Sequence, residues 1–284
     1  MTFKDKLQSH LKNTLPKKKL EVLPSGFQTL GKVVVIKLKP ELFPHEEKIA
    51  QAYLDLLPYI RSVYINRGKI EGQYRTPEGI EYLAGEKDPI VQHKEHGVLY
   101  EFDITKIMFS QGNLRERKFL STLVDEGEII VDMFAGIGYF SLPIGKLSSP
   151  KKVYSIEMNP VAYEFLLKNI ELNNLGDTII PIKGNCKQEV IKLSKQGVQA
   201  DRVIMGVFPA PVDYVDEALT LLKPGGTIYH FEGVVDKDKY LDLFEEFNEI
   251  AAKKGIICEL KAKRFVKSYG PNLFHTVLDI EASK

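Results

Sequence analysis

The stretch that most constrains this chain is EIIVDMFAGIGYFSLPIGK, residues 128–146. An apolar run passes into two glycines and then into a second apolar run of helical length, with no polar spacer between them. A buried strand that turns on glycine directly into a helix is the opening of a βαβ unit. Parallel strands need such crossovers, so the segment predicts a parallel sheet with helices on its faces. Gly136 and Gly138 permit the sharp turn and let the backbone approach a ligand, because neither carries a Cβ. Taken alone, the same two glycines are equally a tight turn with no ligand.

The sequence downstream repeats the unit. KVYSIEMN reads as a strand ending in an acid, and PVAYEFLLKNIELNN as a helix with Pro160 in its first turn. A strand over 178–182, a helix near 186–196 and the strand DRVIMGV come next. A helix from Asp213 to Leu222 is stopped by Lys223-Pro224-Gly225-Gly226, and the strand TIYHFEG follows. A long amphipathic helix covers 237–254, and 256–266 with 274–282 read as an antiparallel-looking pair. This alternation predicts an α/β fold with a mostly parallel sheet, whose ligands lie beyond the carboxyl ends of its strands.

Three strand ends therefore matter. Asp132 ends the first, placed to hold water or an ammonium group, with Phe134 and Ala135 in the turn after it. Glu157 ends the second, about 20 residues past Gly136, where an acid accepts the hydroxyls of a ribose. Asn185, after the third strand and beside Cys186, offers a donor and an acceptor to an adenine edge. Asn185 also suits a helix cap. Together these residues point to an adenosine-containing cofactor. They do not choose between a nicotinamide dinucleotide and S-adenosyl-L-methionine, although no tyrosine–lysine pair or other hydride-transfer constellation accompanies them.

The N-terminal part is different in kind. Leu7, Leu11 and Leu15 have helical spacing up to Pro16, as a short amphipathic helix or a loosely attached arm. KVVVIKL reads as a strand, 44–58 as a helix, and SVYINRG with the Gly/Tyr-rich stretch to Tyr82 as short strands and turns. Residues 1–98 are thus predicted as a smaller α+β domain and 99–284 as the main one. In the latter, LYEFDI suggests an edge strand or hairpin, and 114–126 a helix carrying Arg115, Glu116, Arg117 and Lys118.

Composition excludes several classes. No run approaches the ~18 apolar residues of a membrane span, and the N-terminus lacks the apolar core of a signal peptide. Cys186 and Cys258 are too few and too isolated for a disulfide scaffold or a thiolate metal site, so a reducing cytoplasm is expected. With 39 basic and 38 acidic residues, the total charge neither supports nor excludes a nucleic-acid partner. Local basic clusters do exist at Lys17–Lys19, at Arg115, Arg117 and Lys118, and at Lys261, Lys263, Arg264 and Lys267. Each is also ordinary solvated surface.

VDMFAGIGYFSLP, the acidic end of VYSIEMNP and the Gly184-Asn185 turn resemble class I S-adenosylmethionine enzymes. FSQGNLRER and VKSYGPNLFHTVLDI narrow this to a family that acts on the guanosine-derived base at position 37 of tRNA in archaea and eukaryotes. The resemblance implies a class I S-adenosylmethionine-dependent methyltransferase (Rossmann-like) fold and two alternative activities. One is guanine-37 N1-methylation. The other is the wybutosine-pathway transfer of a 3-amino-3-carboxypropyl group to 4-demethylwyosine in the anticodon loop of tRNA(Phe).

Departures from the methyltransferase pattern favour the second. Those relatives resemble one another in an Asn-Leu-Pro motif after the fourth strand, where this chain has Met205-Gly206-Val207-Phe208-Pro209. They also carry Ser-Pro-Arg-Leu where this chain has Ser110-Gln111-Gly112-Asn113. Losing both polar side chains would remove contacts a methyltransferase needs in its transition state. A third departure, Gly184-Asn185-Cys186 in place of Gly-Asp-Asn, removes a carboxylate from the adenine side. The resemblance implies cofactor contacts at Ser110 and Arg117, although Arg117 is equally suited to a structural salt bridge. It implies catalytic roles for Asn113, His230 and Glu232, stacking of the base on Phe208 and Pro209, and RNA contacts at Lys263, Arg264 and Lys267. A monomer without metal is expected.

Overall fold

The computed structural model describes residues 1–68, 70–71, 76–77 and 79–284. Their contacts divide the chain into one unit of Met1–Lys94 with Leu99–Phe109 and another of Glu95–Val98 with Ser110–Lys284. The boundary expected at 98/99 falls in the hairpin formed by β5 (Ile90–Glu95) and β6 (Val98–Asp103).

In the first unit, Thr2 and Asp5 form a capping box that starts α1 (Phe3–Leu11). Leu7, Leu11 and Leu15 are buried in a core with Ile49, Ala50 and Tyr53 of α2 (Glu46–Leu56), so the first residues are packed and do not form a loose arm. The four strands β1 (Gln28–Leu30), β2 (Val33–Ile36), β3 (Ser62–Asn66) and β4 (Ile80–Gly85) lie in that order. Only β2 and β3 pair in parallel, with α2 as their crossover. Part of the expected Gly/Tyr-rich stretch (69, 72–75 and 78) lies outside the described residues.

The second unit is built on a seven-stranded sheet. Its strands are β7 (Ile129–Asp132), β8 (Lys152–Glu157), β9 (Ile179–Lys183), β10 (Arg202–Met205), β11 (Thr227–Asp236), β12 (Ile257–Gly270) and β13 (Leu273–Ser283). They lie in the order β9-β8-β7-β10-β11-β13-β12, parallel through β11 and antiparallel thereafter. This is the expected Rossmann-like class I order. The chain leaves β7 in one direction and returns on its other side at β10, so the switch point lies between these two strands. The crossover helices are α4 (Ser141–Leu147), α5 (Pro160–Leu172) and α6 (Cys186–Lys195), and α7 (Tyr240–Ala252) follows β11.

Two helices are shorter than their sequence suggests. The helix α3 (Leu114–Ser121) stops where the hydroxyls of Ser121 and Thr122 turn back onto the carbonyls of Lys118 and Phe119. The span 213–222 breaks into 3-10 turns around Val215–Ala218. Under the sheet, Tyr229 and Phe231 of β11 pack on Phe247 of α7 at ring separations of 5.2 and 5.3 Å. Among the described residues no helix is long and apolar enough to cross a membrane.

Candidate active site

The turn after β7 is shaped by backbone constraints that only glycine meets. Gly136 and Gly138 have φ of 58° and 97°. A Cβ on Gly138 would fall 2.6 Å from Leu142 Cγ, so the turn lies directly on α4. Gly136 N–H donates to Glu157 Oε2 at 2.8 Å, and Asn159 N–H donates to Oε1 at 2.6 Å. The Glu157 carboxylate thus ties the first two strand-end turns together while each oxygen keeps further acceptor capacity for a hydroxyl. Burial raises its pKa, and the amide donors oppose that rise.

Asp132 corrects the expectation of a carboxylate facing a ligand. It is fully buried, accepting from Ser141 Oγ at 2.7 Å and from Phe134 N–H at 3.3 Å. Ser155 Oγ donates in turn to Ser141 Oγ at 2.8 Å. Desolvation pushes the Asp132 pKa up to about 6. Its work is to fasten the turn to α4. Phe134 packs edge-on against Tyr214 at 5.0 Å, and Ala135 N–H donates to the Ile156 carbonyl at 2.9 Å, which seats the turn over β8.

On the third strand end, exposed Asn185 caps α6 by accepting from Lys187 N–H at 3.0 Å. Cys186 is buried in the core, and burial pushes its thiol up to about 12. It supplies packing without charge, so of this pair only Asn185 is exposed.

Ahead of β7, the chain makes a 3-10 turn at Gln111–Asn113. Arg117 is only 2% exposed; its guanidinium donates to the Ser110 carbonyl, lies 3.4 Å from Glu95 and stands 5.7 Å over the Tyr139 ring. Of its two expected roles, the structural bridge is the one the geometry displays. Asn113 Oδ1 is buried and has no hydrogen-bond partner. A Cβ on Gly112 would meet Lys267 Cδ at 2.7 Å, so the lysine stem lies across this glycine.

Strands β11, β12 and β13 hold a buried ionic network that the sequence only half exposes. His230 and Glu232 are two residues apart on β11 and share a face. His230 Nδ1 meets Asp279 Oδ1 at 2.8 Å, and His275 Nε2 meets Glu232 Oε2 at 3.0 Å. Arg264 of β12 reaches Asp279 at 2.6 Å and Glu116 of α3 at 2.9 Å. His230 Nε2 lies 3.5 Å from Glu116 and 3.6 Å from Glu232. Burial disfavours the His230 cation, but Asp279 and Glu232 outweigh it and raise the pKa to about 9. Burial likewise opposes the Glu232 anion, yet His230 and His275 hold its pKa at about 2.

Arg264 therefore departs from its expected place among the RNA contacts, because its guanidinium is turned inward onto two carboxylates. Lys263 and Lys267 stay exposed, the first with its ammonium 3.5 Å from the Tyr240 ring centroid and the second 5.2 Å from that of Tyr269. Glu116, His275 and Asp279 were missed in sequence. Alternation carried the only signal, since positions 275, 277 and 279 share a face once β13 pairs with β11.

Above this network the chain leaves β10 through Gly206. A Cβ there would come 3.2 Å from Phe140 and 3.4 Å from the Glu232 carboxylate. Glu232 Oε1 is buried with no hydrogen-bond partner. Phe208, joined to exposed Pro209 by a cis peptide bond, stands edge-on to His275 at 4.7 Å and tilted to Tyr269 at 6.4 Å. The structure thus brings Gly206, Phe208, Phe140, Glu232 and His275 together in one aromatic and acidic cluster.

Two family profiles match the chain: the TRM5/TYW2 methyltransferase domain over residues 91–260 and the TYW2 N-terminal domain over residues 7–88. A tRNA(Phe) (4-demethylwyosine(37)-C(7)) aminocarboxypropyltransferase of Methanocaldococcus jannaschii is 36% identical, over 89% of this chain and 96% of its own. The protein of the same name from Pyrococcus horikoshii is 32% identical, over 99% of this chain and 98% of its own. The crystal structure of P. horikoshii TYW2 in complex with MeSAdo superposes with a TM-score of 0.83 at 30% identity, covering 99% of this chain and 100% of that one.

Proposed function

The chain belongs to the family of the TRM5/TYW2 methyltransferase domain, and on that premise we propose that it is an aminocarboxypropyltransferase. The reaction is transfer of the 3-amino-3-carboxypropyl group of S-adenosylmethionine to C7 of 4-demethylwyosine at position 37 of tRNA(Phe). The names of its two relatives and the match to the TYW2 N-terminal domain support this branch over guanine N1-methylation.

The observation that carries the proposal is the glycine at 206. Methyltransferase relatives are expected to present an asparagine to the base there. In this fold a Cβ at 206 would stand 3.2 Å from Phe140, a tight contact, and 3.4 Å from the Glu232 carboxylate, so the glycine lets the chain pass close to both. The polar group left to meet the base is Glu232 itself, whose Oε1 is buried, makes no hydrogen bond and lies 3.6 Å from His230 Nε2.

The residues present fit the cofactor. Glu157 meets the ribose hydroxyls, the Phe134–Gly138 turn gives the backbone close approach, and Asn185 meets the adenine edge. When bound, S-adenosylmethionine supplies the electrophilic carbon and leaves as methylthioadenosine. Phe208 and Pro209 offer stacking to the tricyclic base, worth about 1–3 kcal/mol per base. C7 loses a proton as its new C–C bond forms. A carboxylate with a pKa of about 2 is too weak to ionise a neutral ring C–H, but it accepts the proton once the bond has made the ring cationic. Glu232 is placed for that transfer, with His275 and His230 holding it ionised and oriented.

Position 37 lies in a single-stranded loop, where a base can be splayed onto aromatic side chains. Exposed Lys263 and Lys267, and the N-terminal unit, are the parts we assign to the tRNA. On this reading the enzyme works as a cytoplasmic monomer. The test is incubation with S-adenosylmethionine and tRNA(Phe) carrying 4-demethylwyosine, followed by nucleoside mass and cofactor product together. A gain of about 101 Da with methylthioadenosine is expected, since the carbon attacked fixes the leaving group. A gain of about 14 Da with S-adenosylhomocysteine would overturn the assignment in favour of methylation.

A further inference from the structure

The helix α3 has two faces with opposite electrostatics. Its inner stripe, Glu116, Arg117, Leu120 and Ser121, is buried. Both inward-facing guanidiniums nearby are neutralised: Arg117 by Glu95, and Arg264 by Glu116 and Asp279. The outer stripe, Leu114, Arg115, Lys118, Phe119 and Thr122, follows the spacing of a single helical face and lines an open groove with His96. Every side chain of this lining is basic, apolar or hydroxylic, and none is acidic.

Arg115 and Lys118 are exposed, and among the described residues neither has a carboxylate within 4 Å. Phe119 is 38% exposed, and the Arg264 guanidinium stands 5.1 Å from its ring centroid. Two unpaired cations beside an exposed aromatic edge match an unpaired nucleotide, whose phosphate takes the cations and whose base packs on the ring. A duplex presents no free base face to such a groove. An acidic peptide would satisfy the cations and leave the ring without a partner of its own shape.

We propose that this groove is a subsite for an unpaired nucleotide flanking the one that is modified, with its phosphate on Arg115 and Lys118 and its base on Phe119. The proposal rests on the tRNA reading above. Placement supports it: Glu116, on the opposite face of the same helix, lies within 3.5 Å of His230 Nε2 in the acceptor network. The groove is thus about one helix diameter, ~10 Å, from the reacting side, within reach of a neighbouring nucleotide. Such a subsite distinguishes a base at a fixed place in a loop from the same base presented alone, and gives the groove a part in register.

The experiment uses the full chain and tRNA(Phe) carrying 4-demethylwyosine, with affinity measured over a salt series. Phe119→Ala is expected to weaken tRNA binding by about tenfold with little change in salt slope. Arg115→Ala combined with Lys118→Ala is expected to lower the slope by roughly 0.7 per lost phosphate contact. S-adenosylmethionine affinity and melting temperature stay at wild-type values in both variants, which sets a binding role apart from a folding defect. Wild-type binding with both variants unchanged overturns the subsite and leaves the function standing. A wild-type chain that binds no tRNA overturns the function and the subsite with it. Self-association that Phe119→Ala abolishes would assign the groove to a second copy of the chain and also overturn the proposal.

Discussion

Replacing Arg264 with methionine separates a structural arginine from an RNA-binding one. In the folded protein, Glu116, Glu232 and Asp279 set three negative charges against Arg264 and the protonated His230, all at most slightly exposed. Methionine keeps much of the stem volume but removes the one permanent cation, leaving Glu116 and Asp279 with His230 alone and Glu232 with His230 and His275. Breaking a buried pair by deleting one partner costs about 3–5 kcal/mol, because the remaining charge stays buried without compensation. For a unit of this size each kcal/mol lowers the melting temperature by about 2–4 °C, so Arg264→Met is expected to melt roughly 6–20 °C lower. Adding Asp279→Asn should return part of that loss, since the two residues touch and their effects do not add. Thermal unfolding read by circular dichroism measures both. A single variant that melts within about 2 °C of wild type while losing tRNA affinity would refute the argument and restore Arg264 to the RNA surface.

Other outcomes follow from the same contacts. Gly138→Ala, with φ of 97° and a Cβ 2.6 Å from Leu142, should cost more than about 1 kcal/mol and abolish S-adenosylmethionine binding by calorimetry. Gly127→Ala, whose Cβ meets nothing within 4 Å despite φ of 83°, should cost about 1 kcal/mol and leave binding intact. Glu157→Gln loses one of two amide contacts and the charge we assign to the ribose, so cofactor affinity in the same assay should fall at least about tenfold. Asp132 has its folded pKa raised from 3.8 to about 6, so its contribution is present below 3.8 and lost as pH rises through 6. His230 is raised from 6.5 to about 9, so its contribution is present below 6.5 and lost as pH rises through 9. Urea unfolding against pH should therefore show two falling limbs; Asp132→Asn flattens the first and His230→Gln the second.

The strand–turn–helix elements were legible because they depend on neighbours in sequence. Glycine at 136 and 138, proline at 160 and the acid at 157 each act within a turn or a strand end, so spacing and residue type expose them. The helix at 114–126 was read too long because the serine and threonine hydroxyls that close it also fit a helical stripe. Cys186 and Asp132 were placed toward a ligand because position on a strand end does not state which way a side chain points.

What the sequence determined by itself was the local grammar: a parallel α/β sheet, a glycine turn, and an acid at the end of the next strand whose carboxylate ties the two turns together. What tertiary structure decided was the acceptor side. Arg264 finds Glu116 across 148 residues, His230 finds Asp279 across 49, and His275 finds Glu232 across 43. These partners meet because β13 pairs antiparallel with β11 in the register His230↔Asp279, which sets His275 diagonally beside Glu232. A one-residue slip would turn each of them to the opposite face. Register of that kind is chosen by the burial of a whole sheet, and no short stretch of sequence carries it.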